Sequence, residues 1–471
     1  ARVVRYAQQH GVPLTPRAAG TNLPGSAIGE GIIVDVSRMN RILEVNREER
    51  WVRVQPGTVY AELNRRLAKD HLLFGPDPSS GEMCKLGGML ANNSAGPHTL
   101  RYGSVKDNVL SIRLCLPSGG WVDAESMPVG STRADTMLAS HPSIRHVLTL
   151  VQDHAATIRA KKPTVSKNSS GYNLFGLVDG LDQGVIDLPK LFIGSEGTLG
   201  IVSEATLRLM PCPSATTTAL IHCRSLDDVG DMVNQLLSLN PSALEVMDGN
   251  TLNLIGRSRF GIPGDAAATL LAEFDHESTG EHPSHQVREM ADRMQAVCST
   301  FRLAGAPVLA SDAEQREQLW KARKALYPTL YRFDSKKKPI NYVDDVVVRA
   351  ERLGELVRYL GDYFGQQDIP VAIFGHIGNG NAHIVPLLDV NDPVDFTKMV
   401  DSYRAIHDTV LGRFEGSICG EHGDGRVRAE YVRTMFGDEL YDVFWQVKRA
   451  IDPAGFMNPG VKLSTEPFTQ H

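Results

Sequence analysis

Residues 16–27 read Pro-Arg-Ala-Ala-Gly-Thr-Asn-Leu-Pro-Gly-Ser-Ala, a stretch rich in small residues. It follows an amphipathic segment at residues 3–10 and precedes an apolar run at residues 32–35. Small residues let backbone N–H groups approach a bound anion closely, because no side chain stands between them. Arg17 can add a charge-assisted contact to a phosphate. An ordinary turn-rich loop has the same composition, so this stretch alone leaves both interpretations open.

Two further stretches have the same character. Residues 86–96 read Leu-Gly-Gly-Met-Leu-Ala-Asn-Asn-Ser-Ala-Gly, and residues 194–201 read Gly-Ser-Glu-Gly-Thr-Leu-Gly-Ile. Each lies beside an apolar, strand-like segment. Three such loops within the first 201 residues are a more specific signal than any one Gly-rich loop.

Together the three loops resemble the FAD-binding domain of the vanillyl-alcohol oxidase / p-cresol methylhydroxylase flavoprotein superfamily. The chain is most similar to the D-lactate and D-2-hydroxyglutarate dehydrogenase branch, and the resemblance covers essentially its whole length. It implies an α+β fold with a two-subdomain FAD-binding domain at residues 1–212. An α+β cap domain with an antiparallel sheet would follow at residues 213–395, and a C-terminal helical segment at residues 396–471 would return to the FAD domain.

The hydrophobic pattern supports this division. From about residue 214 onward, strand-like segments alternate with longer helices, which favours an antiparallel sheet with helices on one face. Helical spacing predicts, among others, a helix at residues 58–70 with Thr58 as its N-cap and a helix at residues 313–331.

The resemblance also implies which residues hold FAD. Residues 17–22 with Gly87 and Gly88 would bind the pyrophosphate, and residues 92–96 would line the isoalloxazine ring. Residues 167–173, Lys-Asn-Ser-Ser-Gly-Tyr-Asn, resemble a family segment near the flavin. No His occurs from Arg17 to Ser26, so we expect FAD to bind without a covalent link. The implied cofactor residues are Arg17, Ala18, Ala19, Gly20, Thr21, Asn22, Pro76, Gly87, Gly88, Asn92, Ser94, Gly96, Glu196, Ile201 and Asn458.

Two histidines flank a tight turn later in the chain. Residues 374–387 read Phe-Gly-His-Ile-Gly-Asn-Gly-Asn-Ala-His-Ile-Val-Pro-Leu, and the Gly-Asn-Gly-Asn centre predicts a turn between two strands. On a hairpin, His376 and His383 would stand at matching heights and could converge on one ion. Histidines that serve only the core or the surface explain the same pattern equally well.

Residues 419–425, Cys-Gly-Glu-His-Gly-Asp-Gly, form another candidate. Such a segment is also typical of a loop with a surface ion pair or of a helix N-terminal region. By the resemblance, His376, His383 and Glu421 would bind a divalent metal, zinc first with manganese or iron as alternatives, and His422 would be the catalytic base. A metal beside His422 would lower the pKa of that imidazole.

The substrate carboxylate needs a cation. Arg323 matches a family Arg on a cap helix, although Lys321, Arg323 and Lys324 also fit a solvated helix face. Lys338, which begins Lys-Pro-Ile-Asn-Tyr-Val-Asp-Asp, resembles a family substrate-side residue, with Lys336 or Lys337 as alternatives in a loose alignment. We therefore predict Arg323 and Lys338 beside His422 in the catalytic set.

Net charge, hydropathy and cysteine spacing limit which binding partners and which cellular compartment we expect. The chain has 471 residues and a net charge of −6, which gives no electrostatic reason to expect nucleic acid. No apolar run is long enough to predict a membrane span. None of the six cysteines forms a C-x-x-C pair, which argues against a disulfide framework or an iron–sulfur site. We expect reduced thiols and a cytoplasmic location, peripheral to a membrane in some settings, or the mitochondrial matrix in a eukaryote.

The sequence therefore predicts an FAD-dependent dehydrogenase that oxidises a D-2-hydroxy acid of the D-lactate or D-2-hydroxyglutarate class. Electrons would pass to a quinone, an electron-transfer flavoprotein, a cytochrome or an iron–sulfur partner, and a homodimer is left open. The alternative is a flavin-free metalloprotein, a hydrolase or metal-binding module, that uses the His/His/Glu site. A flavin-binding protein without dehydrogenase activity is a third hypothesis.

Overall fold

A six-stranded antiparallel sheet organises the N-terminal part of the chain. A computed structural model describes residues 1–277 and 282–470. The strands in this part are β1 (Leu14–Arg17), β2 (Ile32–Asp35), β3 (Ile42–Asn46), β4 (Trp51–Val54), β5 (Leu72–Leu73), β6 (Val109–Cys115), β7 (Trp121–Pro128), β8 (Val185–Asp187), β9 (Ile201–Arg208) and β10 (Met210–Pro211). The sheet has the order β3-β4-β9-β6-β7-β8. At the start of β7, Val122 and Ala124 are buried while Trp121 and Asp123 are exposed, as expected for a strand with one face on a core.

A smaller parallel pair positions the first of the small-residue loops. β1 pairs with β2 in parallel, so that Arg17 lies opposite Asp35, and the loop starts where β1 ends. Helices cover the sheets around this pair. They are α1 (Arg2–His10), α2 (Tyr60–Leu67), α3 (Leu86–Asn92), α4 (Thr99–Tyr102), α5 (Thr132–Ser140), α6 (Pro142–Asp153), α7 (Ala155–Ala160), α8 (Leu174–Asp182) and α9 (Pro189–Phe192).

An eight-stranded antiparallel sheet forms the second part. Its strands are β11 (Ala215–Cys223), β12 (Ala243–Asp248), β13 (Ala268–His276), β14 (Val308–Leu309), β15 (Lys338–Pro339), β16 (Val346–Val347), β17 (Val371–Gly375) and β18 (Asn381–Leu388). The order is β14-β11-β13-β12-β17-β18-β15, and β16 also pairs with β18. The helices are α10 (Val229–Leu237), α11 (Gly249–Ile255), α12 (Pro283–Cys298), α13 (Ala313–Lys324), α14 (Leu326–Leu330), α15 (Leu353–Gln366), α16 (Pro393–Gly412) and α17 (Ala429–Ile451).

The register of this sheet brings four polar or aromatic side chains to one face. Ala243 lies opposite Glu273, and Phe374 lies opposite both Met247 and His383. Side chains of paired residues, and of every second residue along a strand, point to the same face. Glu245, Glu273, Phe374 and His383 therefore share one face, over which α13 packs.

The C-terminal helices divide between the two cores. Met399, Tyr403, Ile406 and Val410 of α16 belong to the core of the second sheet, whereas α17 packs in the core of the first. The predicted boundary at residues 395/396 would fall inside α16. α17 itself bends at Gly437, where φ is 76°.

Two helix predictions differ from the structure at their ends. The helix predicted from Thr58 begins at Tyr60, because Val59 bridges to Lys85 in extended backbone and the Thr58 hydroxyl caps nothing. The helix predicted at residues 313–331 is divided after Lys324, where Pro328 lacks the N–H that would continue it.

All six cysteines are free, and five of them are buried. Among the described residues, no helix combines the length and the apolar character that a membrane crossing needs.

Candidate active site

The three small-residue stretches meet in space, although the second was predicted as a loop and residues 86–92 form the helix α3. The N–H groups of Gly194 and Glu196 donate to the carbonyls of Leu90 and Ala91, both at 2.9 Å, so the third loop is bonded to the second. Gly197 packs on Pro16, since a Cβ at Gly197 would lie 2.9 Å from the Pro16 ring. The loops thus form one crevice at the end of the parallel β1–β2 pair.

The first loop presents backbone donors to this crevice. Among the described residues, the N–H groups of Ala18, Ala19, Gly20 and Thr21 have no protein acceptor. The guanidinium of Arg17 lies beside Gly20, where a side chain would collide with it. Free N–H groups next to an arginine suit the pyrophosphate of a dinucleotide.

Most of the other predicted cofactor residues lie between residues 76 and 96, and one begins β9. Gly87, Gly88 and Asn92 lie in α3, and Ser94 and Gly96 follow it. Gly88 faces the methyl group of Ala18. Pro76 precedes α3, outside any helix or strand, and Ile201 begins β9. Gly96 is also needed for packing, because a Cβ there would overlap the Asp77 carbonyl.

The side chains of Glu196 and Asn458, two further predicted cofactor residues, are bonded to other parts of the protein. The Glu196 carboxylate accepts from the N–H groups of Asp424 and Gly425 and pairs with Lys462 at 3.2 Å. The Asn458 amide donates to the carbonyls of Ser26 and Glu196. Both side chains are buried behind the loops and are used by protein partners, so they brace the crevice.

A second cluster lies on the shared face of the eight-stranded sheet. His376 Nε2 is 3.0 Å from Glu421 Oε1, His383 Nε2 is 3.5 Å from the same oxygen, and the two Nε2 atoms are 3.3 Å apart. In a tetrahedral site with metal–nitrogen distances of 2.0–2.1 Å, ligand atoms lie about 3.3 Å from each other. The three atoms therefore have the spacing of a metal site, and all three residues are buried.

The predicted hairpin geometry of the two histidines was wrong in detail. The partner of His383 across the strands is Phe374, and His376 lies beyond the end of β17, where a short 3₁₀ turn begins. The rings nevertheless meet edge to face, with centroids 5.1 Å apart. His376 reaches the site because the chain turns inward there.

Buried carboxylates orient both rings. Glu245 Oε1 hydrogen-bonds His376 Nδ1, and Asp344 Oδ1 lies 3.1 Å from His383 Nδ1. A carboxylate on Nδ1 fixes the proton there and leaves Nε2 free to bind a metal. Burial opposes ionisation of Glu245, but His376 and Arg323 outweigh it and lower its pKa to about 2. Burial likewise opposes protonation of His383, yet Asp344 and Glu421 raise its pKa to about 10.

The charges of the cluster favour a cation. Glu245, Asp344, Asp345 and Glu421 are nearly or fully buried carboxylates. Asp345 Oδ2 accepts the N–H groups of three consecutive residues, Gly420, Glu421 and His422, at 2.7–3.0 Å, which fixes the loop that carries Glu421. Lys167, Arg323 and Arg428 supply three buried positive charges against these four carboxylates, so with neutral imidazoles one negative charge remains for a cation to compensate.

Two contacts tie the cluster to the flavin crevice. The amide of Asn22, in the first loop, donates to the His422 carbonyl at 2.9 Å. The ammonium of Lys167 lies 2.9 Å from Glu421 Oε2, and both side chains are buried. Residues far apart in sequence thus place the cluster directly beside the crevice.

His422 lies at the edge of the cluster. Its ring stacks on His383 with centroids 5.0 Å apart, its Nε2 is 3.9 Å from Glu421 Oε1, and its side chain is 24% exposed. Burial would lower the pKa of His422, but Asp345 and Asp344 outweigh burial and raise it. The expected fall depends on a bound divalent cation and stays a prediction.

Arg323 does not lie on a solvated helix face. It is 7% exposed, its Nε donates to Glu245 Oε2 at 2.9 Å, and its guanidinium lies over the Phe374 ring. Within the described residues its two terminal nitrogens donate to no protein atom. Lys321 and Lys324 are exposed instead.

Lys338 is not brought to the cluster. Its ammonium donates to the carbonyl of Asp334 at 2.9 Å, with that of Tyr331 at 3.5 Å, and so stays within its own loop. Neither of the alternatives from the loose alignment reaches the cluster either, since Lys337 pairs with Asp395 and Lys336 is exposed.

Sequence reasoning missed Glu245, Asp344 and Asp345 as parts of the site. One signal was present: a Glu within the otherwise apolar strand Ala-Leu-Glu-Val-Met, and two adjacent Asp before the apolar run at residues 346–348. An acid in a buried strand has to be paired or bound.

Family models match most of the chain. Residues 1–125 match an FAD binding domain, and residues 212–461 match the C-terminal domain of FAD linked oxidases. The chain belongs to the FAD-linked oxidase family. It therefore contains an FAD-binding domain and is related to oxidoreductases, which contradicts the hypothesis of a flavin-free metalloprotein.

Relatives of the chain carry the names of dehydrogenases and of an oxidase subunit. D-2-hydroxyglutarate dehydrogenase of Pseudomonas putida is 32% identical over 95% of the chain, and glycolate oxidase subunit GlcD of Bacillus subtilis is 28% identical over 98%. D-lactate dehydrogenase of Anaerostipes hadrus is 29% identical over 98%. The chain spans 45% of the first protein, 85% of the second and 86% of the third. It spans 47% of a further D-2-hydroxyglutarate dehydrogenase, so it covers about half the length of the first relatives.

Solved structures confirm the predicted fold class. p-Cresol methylhydroxylase superposes with a TM-score of 0.66 over 99% of this chain and 87% of its own, at 14% identity. 4-Ethylphenol oxidase from Gulosibacter chungangensis superposes with a TM-score of 0.67 over 100% and 88%, at 15% identity. At this identity the likeness concerns the α+β fold.

Proposed function

We propose that this FAD-linked oxidase is a dehydrogenase that oxidises a D-2-hydroxy acid to the 2-oxo acid, within the D-lactate or D-2-hydroxyglutarate class. The observation that carries the proposal is the convergence of His376, His383 and Glu421 beside His422, at the wall of the flavin crevice. The names of the relatives support the same substrate class.

The chain would bind FAD non-covalently between residues 17–22 and 87–96, with the pyrophosphate on the free N–H groups of the first loop. When bound, FAD supplies the acceptor for the hydride. His376, His383 and Glu421 would hold a divalent metal, for which zinc fits the ligand set and spacing, with manganese or iron as alternatives. Such a metal supplies Lewis acidity toward the substrate hydroxyl and carboxylate.

Two side chains of the protein would take the substrate proton and bind the substrate carboxylate. His422 Nε2 would take the hydroxyl proton, because its Nδ1 faces Asp344 and its ring edge is open to solvent. The terminal nitrogens of Arg323 would bind the substrate carboxylate, while Glu245 holds Nε in place. Electrons would leave to a separate acceptor of the quinone, flavoprotein, cytochrome or iron–sulfur type.

Anaerobic mixing of the FAD-loaded protein with D-lactate, D-2-hydroxyglutarate, D-malate and their L-enantiomers tests the proposal. We expect at least one D-acid to bleach the flavin absorbance, while its L-enantiomer does not. The function is wrong if dithionite bleaches the flavin and none of the acids does.

A further inference from the structure

Asp344 stands between the two histidines that the proposed function uses for different tasks. Its Oδ1 is 3.1 Å from Nδ1 of His383, and its Oδ2 is 3.0 Å from Nδ1 of His422. The carboxylate is completely buried, and the carbonyl of the same residue is held by the fully buried Arg428 at 2.7 Å. His422 Nδ1 also lies 3.9 Å from Asp345 Oδ2, and in the described chain neither His422 Nδ1 nor Asp344 Oδ2 makes an aligned hydrogen bond, so their 3.0 Å approach is an ion-pair contact.

We infer that Asp344 is a positioning residue that sets both imidazoles at once, one as a metal ligand and one as a base. This inference rests on the proposed function. A carboxylate only accepts, so it holds a proton on His383 Nδ1 through a hydrogen bond and favours one on His422 Nδ1 through its charge. The Nε2 lone pairs of His383 and His422 then point to the same side, where Glu421 Oε1 lies 3.5 and 3.9 Å away.

The stacking of the rings explains how one carboxylate serves both. The His383 and His422 planes differ by 18°, with centroids 5.0 Å apart, so their Nδ1 atoms lie side by side. Each oxygen of Asp344 takes one of them. The neighbouring Asp345 has a different task, because its Oδ2 is used by the N–H groups of residues 420–422.

Asp344→Asn separates this role from a merely structural one. An amide keeps the shape but has one acceptor oxygen and one donor NH₂ group, so it can accept from only one Nδ1–H. The other ring has to move its proton to Nε2, which removes either the metal ligand or the base. Loss of a carboxylate that bonds the second ring nitrogen of a metal-binding histidine lowers metal affinity or activity about 10- to 100-fold.

The test combines Asp344→Asn with His383→Gln and with His422→Gln in two double-mutant cycles. Zinc affinity, from competition with a chelator on the FAD-loaded protein, is the readout of the first cycle, and the rate of flavin reduction is the readout of the second. We expect a 10- to 100-fold loss from Asp344→Asn in at least one readout. When the corresponding histidine is already Gln, adding Asp344→Asn should change the same readout by less than about twofold, because Asp344 acts through that ring.

Asp248→Asn is the matched control, since Asp248 is also a buried Asp of the second domain but caps α11. It should leave zinc affinity unchanged. If Asp344→Asn does not fold, the same cycles use Asp344→Glu, whose longer side chain displaces both oxygens. The inference is overturned if the effects of Asp344 and of each histidine add independently, or if Asp344→Asn changes neither readout.

Failure of the proposed function gives a different pattern. If the wild-type protein binds zinc but none of the acids reduces its flavin, the proposed dehydrogenase activity is wrong. The double-mutant cycle measured by zinc affinity then decides the role of Asp344. A wild-type protein that is reduced but binds no metal contradicts the metal site, and the reduction cycle decides. If neither occurs, both proposals are overturned.

Discussion

The ammonium of Lys167 lies 2.9 Å from Oε2 of Glu421, and each side chain is less than one-tenth exposed. Lys167 lies before α8 in the N-terminal part of the chain, and Glu421 lies in the loop of the proposed metal site. Burial opposes the charge on Glu421, but Lys167 and His376 outweigh it and hold the pKa of Glu421 well below its usual range. The cation leaves Oε1 free to face the two histidines.

Lys167→Met should make the protein depend more strongly on metal. Removing one member of a buried ion pair costs about 3–5 kcal/mol, because the other charge stays uncompensated. A divalent ion beside Glu421 replaces much of that compensation. The rise in Tm on adding zinc should therefore be larger in Lys167→Met than in the wild type. Lys162→Met, which breaks a surface pair with Asp179, is the control, and equal zinc shifts in all three proteins would contradict the prediction.

His422→Gln should slow flavin reduction by the best D-acid about 10²- to 10⁴-fold, the usual range for loss of a general base. FAD and zinc contents should be retained, because His422 is not among the proposed ligands. Anaerobic stopped-flow absorbance measures the rate, and exposed His146→Gln is the control. A wild-type rate in His422→Gln would place the base elsewhere.

Arg323→Met should raise KM roughly 10- to 100-fold, which corresponds to a lost charged hydrogen bond of about 1.5–3 kcal/mol. The exposed Lys324→Met, one residue further along α13, should leave KM unchanged. Because Glu245 also loses its partner, the Tm of Arg323→Met should fall as well. Arg323→Lys keeps the charge, so it should recover most of the Tm but little of the KM. A fall in kcat with an unchanged KM would argue against carboxylate binding.

A histidine outside the proposed site should make stability depend on pH. His98 lies 2.5 Å from Asp77 in the first domain and 2.9 Å from Glu273 in the second, and it therefore bridges them. Burial opposes protonation, but Asp77 and Glu273 outweigh it and raise the pKa of His98 well above its usual value. A raised pKa means that the folded state binds the proton more tightly than the unfolded chain, whose His titrates near about 6.5.

The contribution of His98 is therefore complete below about pH 6.5 and is lost as the pH rises through the folded pKa. Urea unfolding of wild type and His98→Gln at pH 6 and at pH 9 measures it. The difference in free energy of unfolding between the two proteins should shrink at the higher pH. Exposed His10→Gln should show no such trend, and a difference independent of pH would contradict the assignment.

Gly88→Val should weaken FAD binding without unfolding the protein. A Cβ at Gly88 meets only the methyl group of Ala18, at 3.9 Å, so a larger side chain fits the protein but enters the crevice between the loops. Overfilling of this kind costs about 1–3 kcal/mol, or roughly 5- to 150-fold in Kd. Gly361→Val, at an open helical position in α15, is the matched control.

Acid denaturation should release FAD from the wild type, and retained FAD after denaturation would show a covalent link.

Some of the fold and site could be predicted from local sequence alone. Small residues at 16–27 determine a loop with free backbone N–H groups, because no side chain covers them. The second stretch was also expected to be a loop, but residues 86–92 form α3, and N–H groups of the third stretch are bonded to its carbonyls. The Gly-Asn-Gly-Asn stretch determines a reversal between two apolar strands. Both features depend only on neighbouring residues.

Only the tertiary structure decided which distant residues share a site. His376 approaches His383 because the chain turns inward after β17, and the exposure of Arg323 depends on how α13 packs over the sheet. The orienting acids Glu245 and Asp344 belong to segments that no local pattern connects to the histidines. Their effect on pKa and on the proton position in each ring depends on distances of about 3 Å in a buried setting, which sequence spacing does not determine.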